Sequence, residues 1–299
     1  MQFKTRLMFP GRDIIYGYTL SMNELVTVVI PNHNGGKFLE EAIESALSQD
    51  YPSMQVVVVD DGSTDNSLEI LKQYHSQITL IQTNGSGAAA ARNAGIKVAS
   101  GEYIALLDSD DVWNKTKLKL QIKEMETFNL DLVYCAGQEF TVDTNAFGLI
   151  HKPKFSGDCY SHFKKFPTRS IIELGCSTAV FRSSLLRSSG LFDETFEGAA
   201  EDWDFFRRYC KFAKVGFCNE NLVRYRRHVG SITARPILDY YNGNKKAVLK
   251  MLAEDKKIVL FERRLIWAKF QFISSKGFLK HGEVISGIRA LFKILSPIK

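Results

Sequence analysis

The sequence has no apolar run long enough to cross a membrane. Its first 20 residues include basic positions, but they also hold Asp13 and no continuous apolar core, so they make a poor signal peptide and read as a leader or flexible arm, residues 1–22. Cysteine is sparse and unsuited to pairing. The five positions, Cys135, Cys159, Cys176, Cys210 and Cys218, are odd in number and form no C-x-x-C pair. That argues against a disulfide framework or a zinc site and fits a reduced, cytosolic compartment. No internal repeat or low-complexity segment is present. Positive charge is missing where a nucleic-acid groove would need it. Residues 245–299 hold 13 Lys/Arg against 4 Asp/Glu, and the rest of the chain holds 26 against 29. The net charge of +6 therefore belongs to the tail, and no nucleic-acid partner is expected.

What is present is globular: 299 residues, 45% hydrophobic and 24% charged, enough for a large α/β core. Leu25–Ile30 is a β-branched strand, broken by Pro31-Asn32-His33-Asn34-Gly35-Gly36. Leu39, Ala42, Ile43, Ala46 and Leu47 follow at helical spacing. A second strand, Val56–Val59, ends at Asp60-Asp61-Gly62-Ser63-Thr64-Asp65, which can cap a helix carrying Leu68, Ile70 and Leu71. A third strand, Ile78–Ile81, precedes a small-residue helix from Gly85 to Gly95. A strand at 102–107, a helix with Leu118, Ile122 and Met125 on one face, and a strand at Leu130–Tyr134 complete the alternation. Strands alternating with helices predict βαβ units and a mostly parallel sheet. Residues 141–175 show no firm period. Ser177–Phe181 reads as a short strand, Glu201 opens an aromatic-rich helix, two strands are expected near 214–218 and 222–227, and helices run on after Pro236.

The most informative stretch is Gly101 to Trp113. An apolar run from Tyr103 to Leu107 reads as a strand buried on both faces, and Asp108, Asp110 and Asp111 follow it directly. Open α/β sheets bind ligands outside the carboxyl ends of their strands. Asp108 and Asp110 repel at i, i+2, and a bound Mg²⁺ or Mn²⁺ would remove that repulsion. A solvated, helix-capping turn explains the same residues, so this stretch alone does not decide.

Other positions carry the same duality. Asp60 and Asp61 are more acid than one cap needs and could accept from a base N–H or a ribose hydroxyl. His33 could stack on a base or be a turn residue. Arg92 could reach a diphosphate, an acidic side chain of the site, or the surface. Glu201-Asp202 could stabilise a helix N-terminus or supply a general base. His228, at a strand end, could ligate metal or contact phosphate, or do neither. The alternative function is an NAD(P)-dependent oxidoreductase using Gly85-x-Gly87-x-x-Ala90, with Asp108 at about the expected 20-residue distance. Against it, the glycine turn follows the third strand rather than the first, and it explains neither Asp60-Asp61 nor Glu201-Asp202. A nucleotidyltransferase would need a basic glycine loop after strand one, and Pro31 to Lys37 is a poor version. A non-catalytic nucleotide- or sugar-binding module would not need Asp108, Asp110 and Asp202 together.

In order along the chain, Val28-Val-Ile-Pro31-Asn-His-Asn34, Val57-Val-Val-Asp60-Asp61-Gly-Ser-Thr-Asp65, Ala91-Arg92-Asn93-x-Gly95, Asp108-x-Asp110, Glu201-Asp202 and Tyr225-Arg-Arg-His228-x-x-Ser231 together resemble the family 2 glycosyltransferases. The resemblance covers about residues 25–232. It implies the GT-A fold, a Rossmann-like, mostly parallel sheet flanked by helices, here with a C-terminal helical extension. It implies a catalytic domain over residues 23–235, with a nucleotide-sugar half (about 23–135) and an acceptor half (about 136–235), before a basic extension at 236–299. It also implies an inverting, metal-dependent (Mn²⁺ or Mg²⁺) hexosyltransferase moving sugar from a nucleoside diphosphate sugar, usually of uridine, to a glycan or lipid-linked acceptor. By the same resemblance Pro31, His33, Asn34, Asp60, Asp61, Arg92 and Asp108 line the nucleotide, with Asp61 on the base. Asp110 binds metal, Asp108 meets ribose or metal-bound water, and His228 closes over the metal or diphosphate. Asp202 is the base, with Glu201 next in line. His33 departs from the family's commoner Tyr, which leaves base preference open, and residues 141–175 leave the acceptor open.

The chemistry is consistent with this. Displacing a nucleoside diphosphate from an anomeric carbon needs a stabilised leaving group and a base for the acceptor hydroxyl. At the tail, Val284, Ile285, Ile288, Leu291, Phe292 and Leu295 form one stripe at helical spacing, with Lys280, Arg289, Lys293 and Lys299 around it. Such a helix packs its stripe on protein, as most do, or forms a homodimer contact, or lies in the headgroup layer of an anionic membrane. The localisation expected is cytoplasmic, with peripheral contact on the inner membrane face as one option.

Overall fold

The computed structural model describes residues 24–142, 146–165, 171–172, 174–196, 199–229 and 236–294. The leader 1–22, Ser231, Leu295 and Lys299 lie outside them. Among the described residues the core is one sheet with helices on both faces. The first strands are β1 (Val26–Asn32), β2 (Met54–Asp61), β3 (Thr79–Thr83) and β4 (Tyr103–Leu106). Then come β5 (Val112–Trp113), β6 (Leu132–Thr141), β7 (Phe147–His151), β8 (Ala179–Arg182) and β9 (Val215–Arg227). Their order is β3-β2-β1-β4-β8-β6-β9-β5, with β7 paired to β6. From β3 to β4 every pairing is parallel, as the alternation predicts. Beyond β4 the ladder is mixed: β8 runs antiparallel to both β4 and β6, and β6 pairs parallel with β9.

The central parallel strands β1, β2 and β4 are largely apolar because both their faces are covered, whereas β3 at the sheet edge is mostly exposed. Val26, Val28 and Ile30 face one core and Val29 the other, as the two-residue strand period requires. Helix α1 (Leu39–Leu47) buries Leu39, Ala42, Ile43 and Ala46. Helix α2 is Ser67–Gln73 and α3 is Ala88–Lys97. The small residues of α3 let it lie close to the sheet: a Cβ on Gly95 would stand 3.2 Å from Val59 Cγ2 and closer still to Val29. Helix α4 (Lys117–Phe128) buries Leu118, Ile122 and Met125, and ends where Asn129 adopts a left-handed conformation.

The later chain departs from the expected pattern in three places. The unassigned stretch contains β7 and a short helix, α5 (Tyr160–Lys165). Ser177 and Thr178 belong to a 3-10 turn, Cys176–Thr178, and only then does β8 begin. The two strands expected near 214–218 and 222–227 are one, β9, which keeps its pairing to β6 through register shifts around Cys135, Ala136 and Gly137. A bulge of this kind absorbs the polar Asn219-Glu220-Asn221 without ending the strand.

Helices α6 (Leu186–Ser189), α7 (Glu201–Tyr209), α8 (Ile237–Glu254), α9 (Leu260–Lys280) and α10 (Val284–Phe292) follow. Phe205, Phe206 and Tyr209 of α7 share one core with Val248 and Met251 of α8 and with Trp267 and Phe270 of α9. All five cysteines are buried thiols.

Candidate active site

β1 lies between β2 and β4 at the point where the strand order reverses, and the motif residues gather at the carboxyl ends of these three strands. Pro31 is buried within β1 opposite Val59. Asp60 is buried and holds the turn: its Oδ1 accepts the Asn32 amide at 2.9 Å and its Oδ2 the Ser63 N–H at 3.2 Å. Asn34, at φ 53°, joins the β1 and β2 loops, its Oδ1 accepting the Thr64 N–H at 2.7 Å. The exposed His33 ring is oriented by Nδ1 at 2.7 Å from the Asp61 carbonyl, while Nε2 takes the Asn34 amide at 3.2 Å.

Asp61 points to the glycine loop before α3. Its carboxylate accepts from the Thr83 hydroxyl, the Ser86 N–H at 2.9 Å and the Gly87 N–H at 2.7 Å. Burial would push this carboxyl up, but the Thr83 hydroxyl and then the loop N–H groups outweigh it and hold the pKa below the ordinary value. This bears on the oxidoreductase reading. In a dinucleotide fold the N–H groups of such a loop face a pyrophosphate; here they face the protein's own carboxylate.

The turn after β4 is in the opposite condition. Asp111 is fully buried, accepting the Ser177 hydroxyl at 2.6 Å and the Arg226 N–H at 3.0 Å. Burial, and then the charges of Asp110 and Asp108, still push its carboxyl well up. Asp110 Oδ2 lies 3.0 Å from His228 Nε2, and the His228 ring packs on Phe38 with centroids 4.7 Å apart. Burial, followed by the Asp108 charge, raises the Asp110 carboxyl, with His228 pulling the other way. Arg226 ties the end of β9 to this turn, its Nε donating to the Asp110 carbonyl at 2.7 Å and its guanidinium also meeting Glu41. Asp111, Ser177, Arg226 and Glu41 build this turn, and sequence reading gave none of them a role. Their signal is weak, because each looks like an ordinary turn, strand or helix residue until the chain folds.

Arg92 links this turn to the distant acidic pair. It is only 4% exposed, with Nη2 at 2.8 Å from Asp108 Oδ1 and Nη1 at 3.1 Å from Glu201 Oε1. Of the three fates open to it in the sequence, the structure realises the bond to acidic side chains, twice over. Neighbouring Asn93 fastens the segment before α7, exchanging hydrogen bonds with the backbone of Phe192 at 2.9 Å in both directions. Asp202 stands in the first turn of α7, where its Oδ1 accepts the Trp203 N–H at 2.7 Å. Burial, and then the Glu201 charge, raise its carboxyl to about 6, although Arg92 opposes them.

Among the described residues no three His, Cys, Asp or Glu side chains converge as a ready metal cage. Mg²⁺ needs none, since one or two carboxylates plus substrate phosphates commonly hold it. The donor set fits a hard divalent cation: Asp110 is a carboxylate whose ionised form is opposed by burial and by Asp108, and a cation would relieve both.

The description "Glycosyl transferase family 2" fits residues 27–190, more than half of the chain. The glycosyltransferase GlyG of Streptococcus pneumoniae is 34% identical over 233 residues, covering 71% of this chain and 73% of that protein. WfaP of Escherichia coli, a UDP-Glc:alpha-D-GlcNAc-diphosphoundecaprenol beta-1,3-glucosyltransferase, is 44% identical over 106 residues, 35% of this chain and 42% of that protein. Among solved structures, Staphylococcus aureus TarS (residues 1–349) superimposes with a TM-score of 0.65 at 22% identity, covering 91% of this chain and 81% of that one. The sheet ends, the acidic turns and these matches agree: the fold is GT-A, and the chain is a glycosyltransferase belonging to glycosyl transferase family 2.

Proposed function

We propose that this enzyme moves a sugar from a nucleoside diphosphate sugar, a uridine diphosphate sugar first among them, to a hydroxyl of a glycan or lipid-linked glycan, with inversion at the anomeric carbon. The observation that carries the proposal is Arg92. By gripping Asp108 and Glu201 together it keeps the Glu201-Asp202 pair beside the β4 carboxylates, which supports a base standing next to a diphosphate site. The name of the Escherichia coli relative, which cites UDP-Glc and a diphosphoundecaprenol-linked sugar, supports the donor and acceptor classes.

In this reading residues 23–135 handle the donor and residues 136–235 the acceptor. The His33 ring stacks on the base, Asp61 and its loop form the base pocket, and Pro31, Asn34 and Asp60 shape the walls. Asp110, with Asp108 and His228, would hold Mn²⁺ or Mg²⁺, which when bound supplies charge stabilisation to the leaving diphosphate. Asp202 uses Oδ2 to take the acceptor hydroxyl's proton as the new C–O bond forms and the bond to the diphosphate breaks. A base near 6 is ionised at neutral pH yet basic enough to accept a proton in the transition state. Arg92 acts as a positioning residue. The test is a screen of nucleotide sugars with Mn²⁺ or Mg²⁺, read by release of nucleoside diphosphate. Release from a uridine diphosphate sugar that stops with chelator is expected; release from none of the uridine donors, or release indifferent to chelator, overturns the reading.

A further inference from the structure

Helix α10 is packed the opposite way round from the common expectation for an amphipathic helix. Its inward side is made of the small residues Gly287 and Ala290. A Cβ on Gly287 would come within 3.0 Å of Leu279 Cγ and 3.3 Å of the Ser275 carbonyl, so this face sits tightly on α9. The apolar stripe faces outward: Ile285 is 68% exposed, Phe292 76% and Ile288 46%. The expectation that the stripe packs on the catalytic domain is therefore overturned for its described residues. The physical reason is that a close helix crossing needs small side chains, and α10 offers them only opposite its stripe.

Helix α9 repeats the arrangement. Ile266, Trp267, Phe270 and Phe278 are buried, while Phe261, Leu265, Phe272 and Leu279 are exposed at spacings of 4, 7 and 7, one face of a helix. Lys269, Lys276 and Lys280 border that face, with the Lys276 ammonium 4.4 Å from the Phe272 ring centroid. Residues 256–294 hold nine Lys/Arg and only two acids, Glu262 and Glu283. No helix of the described residues is long and apolar enough to cross a membrane.

We propose that α9 and α10 dock this enzyme on an anionic lipid surface, lying in the headgroup layer with their apolar stripes down and their basic borders against lipid phosphates. Charge decides between a bilayer and a second copy of the chain. Two copies meeting stripe to stripe would set one basic border against another, whereas an anionic bilayer offers apolar depth and opposite charge together. Long lysine stems suit that border, since they cover apolar surface while the ammonium stays among headgroups. This surface shares no residue with the proposed transfer site, so the proposal stands or falls apart from donor and acceptor chemistry.

The experiment is co-sedimentation of the full chain with phosphatidylcholine vesicles, with and without phosphatidylglycerol, at low and high salt, with solution mass followed by light scattering. Binding is expected only with phosphatidylglycerol, falling about tenfold or more at high salt. The double substitution Ile285→Asp and Phe292→Asp should abolish it while nucleoside diphosphate release from a soluble donor is unchanged. If that variant unfolds, Lys269→Glu with Lys276→Glu serves instead and should lower binding about tenfold or more. Sedimentation with neither vesicle overturns the proposal. So does equal binding to both, or a solution dimer that the substitutions convert to monomer with no vesicle binding in either form.

Discussion

Two aspartate turns flank β1, one at the end of β2 and one at the end of β4, built from similar residues and holding opposite electrostatic states. After β2, Asp61 is surrounded by donors, the Thr83 hydroxyl and the loop N–H groups, and its pKa is held low. After β4, Asp110 and Asp111 crowd each other and Asp108, and burial raises both. The first turn satisfies its charge internally and so acts as a rigid mould for the glycine loop. In the second, Arg92 meets the Asp108 carboxylate and His228 the Asp110 carboxylate, while the Arg226 guanidinium bonds the Asp110 carbonyl and Glu41. On the proposed function, the first turn is the one whose carboxylate the protein already supplies with donors, and the second, where burial and neighbouring charge oppose ionisation, is the one proposed to take a cation and a diphosphate.

The largest expected effect lies just beyond the second turn. Asp202→Asn should keep donor affinity and lose about 10²–10⁴-fold in kcat, the range for removing a general base. In the wild type kcat/KM should fall as pH drops below about 6, where the Asp202 carboxyl takes up its proton; the residual activity of Asp202→Asn should lack that limb. A full-speed Asp202→Asn enzyme would pass the role to Glu201. Next in size is Asp110→Ala, which should weaken metal-dependent binding of uridine diphosphate about a hundredfold by calorimetry. Equal affinity with and without metal in the wild type would erase the distinction between the turns.

Much of this was legible in the sequence because it is local. Buried parallel strands announce themselves as apolar runs, and the acids follow each run directly, so the ends of β1, β2 and β4 could be read residue by residue. What could not be read depends on partners far along the chain. Arg92 meets Glu201 across 109 positions and Ser177 meets Asp111 across 66. Nothing in the pattern around Ser177 separates a hydroxyl that holds a buried acid from one in a strand. The stripe of α10 was legible as a stripe, but periodicity does not say which side faces in; Gly287 and Ala290 decide that. The polar Asn219-Glu220-Asn221 hid the continuity of β9 because a bulge and a strand end look alike in one sequence.

The two turns also predict stability changes of opposite sign. Asp61→Asn removes the charge that its donors are arranged to meet and should cost about 1.5–3 kcal/mol, the range for hydrogen bonds to a charged group. Because the folded pKa of Asp61 is lowered, its contribution is present above the unfolded value of about 3.9 and disappears as pH falls through the folded value. Denaturant titrations of wild type and variant should therefore separate at neutral pH and converge in acid.

Asp110→Asn is the smallest effect and the sharpest test, because its sign is reversed. The folded pKa of Asp110 is raised, so the group favours folding below about pH 3.9 and loses that advantage as pH rises through its folded value. At neutral pH and without metal, asparagine removes the repulsion with Asp108 and Asp111 and keeps an oxygen for His228. The side chain is about one-third exposed, so solvent screens much of the gain, and an increase of at most about 1 kcal/mol is expected. For a chain of this size that is a rise of about 2 °C in Tm. Excess Mn²⁺ with uridine diphosphate should invert the order, raising the wild type above Asp110→Asn by binding linkage. A variant less stable than wild type in chelator would mean that Asp110, like Asp61, is already satisfied by the protein. The β4 turn would then be a second scaffold, and the cation would have to be sought elsewhere.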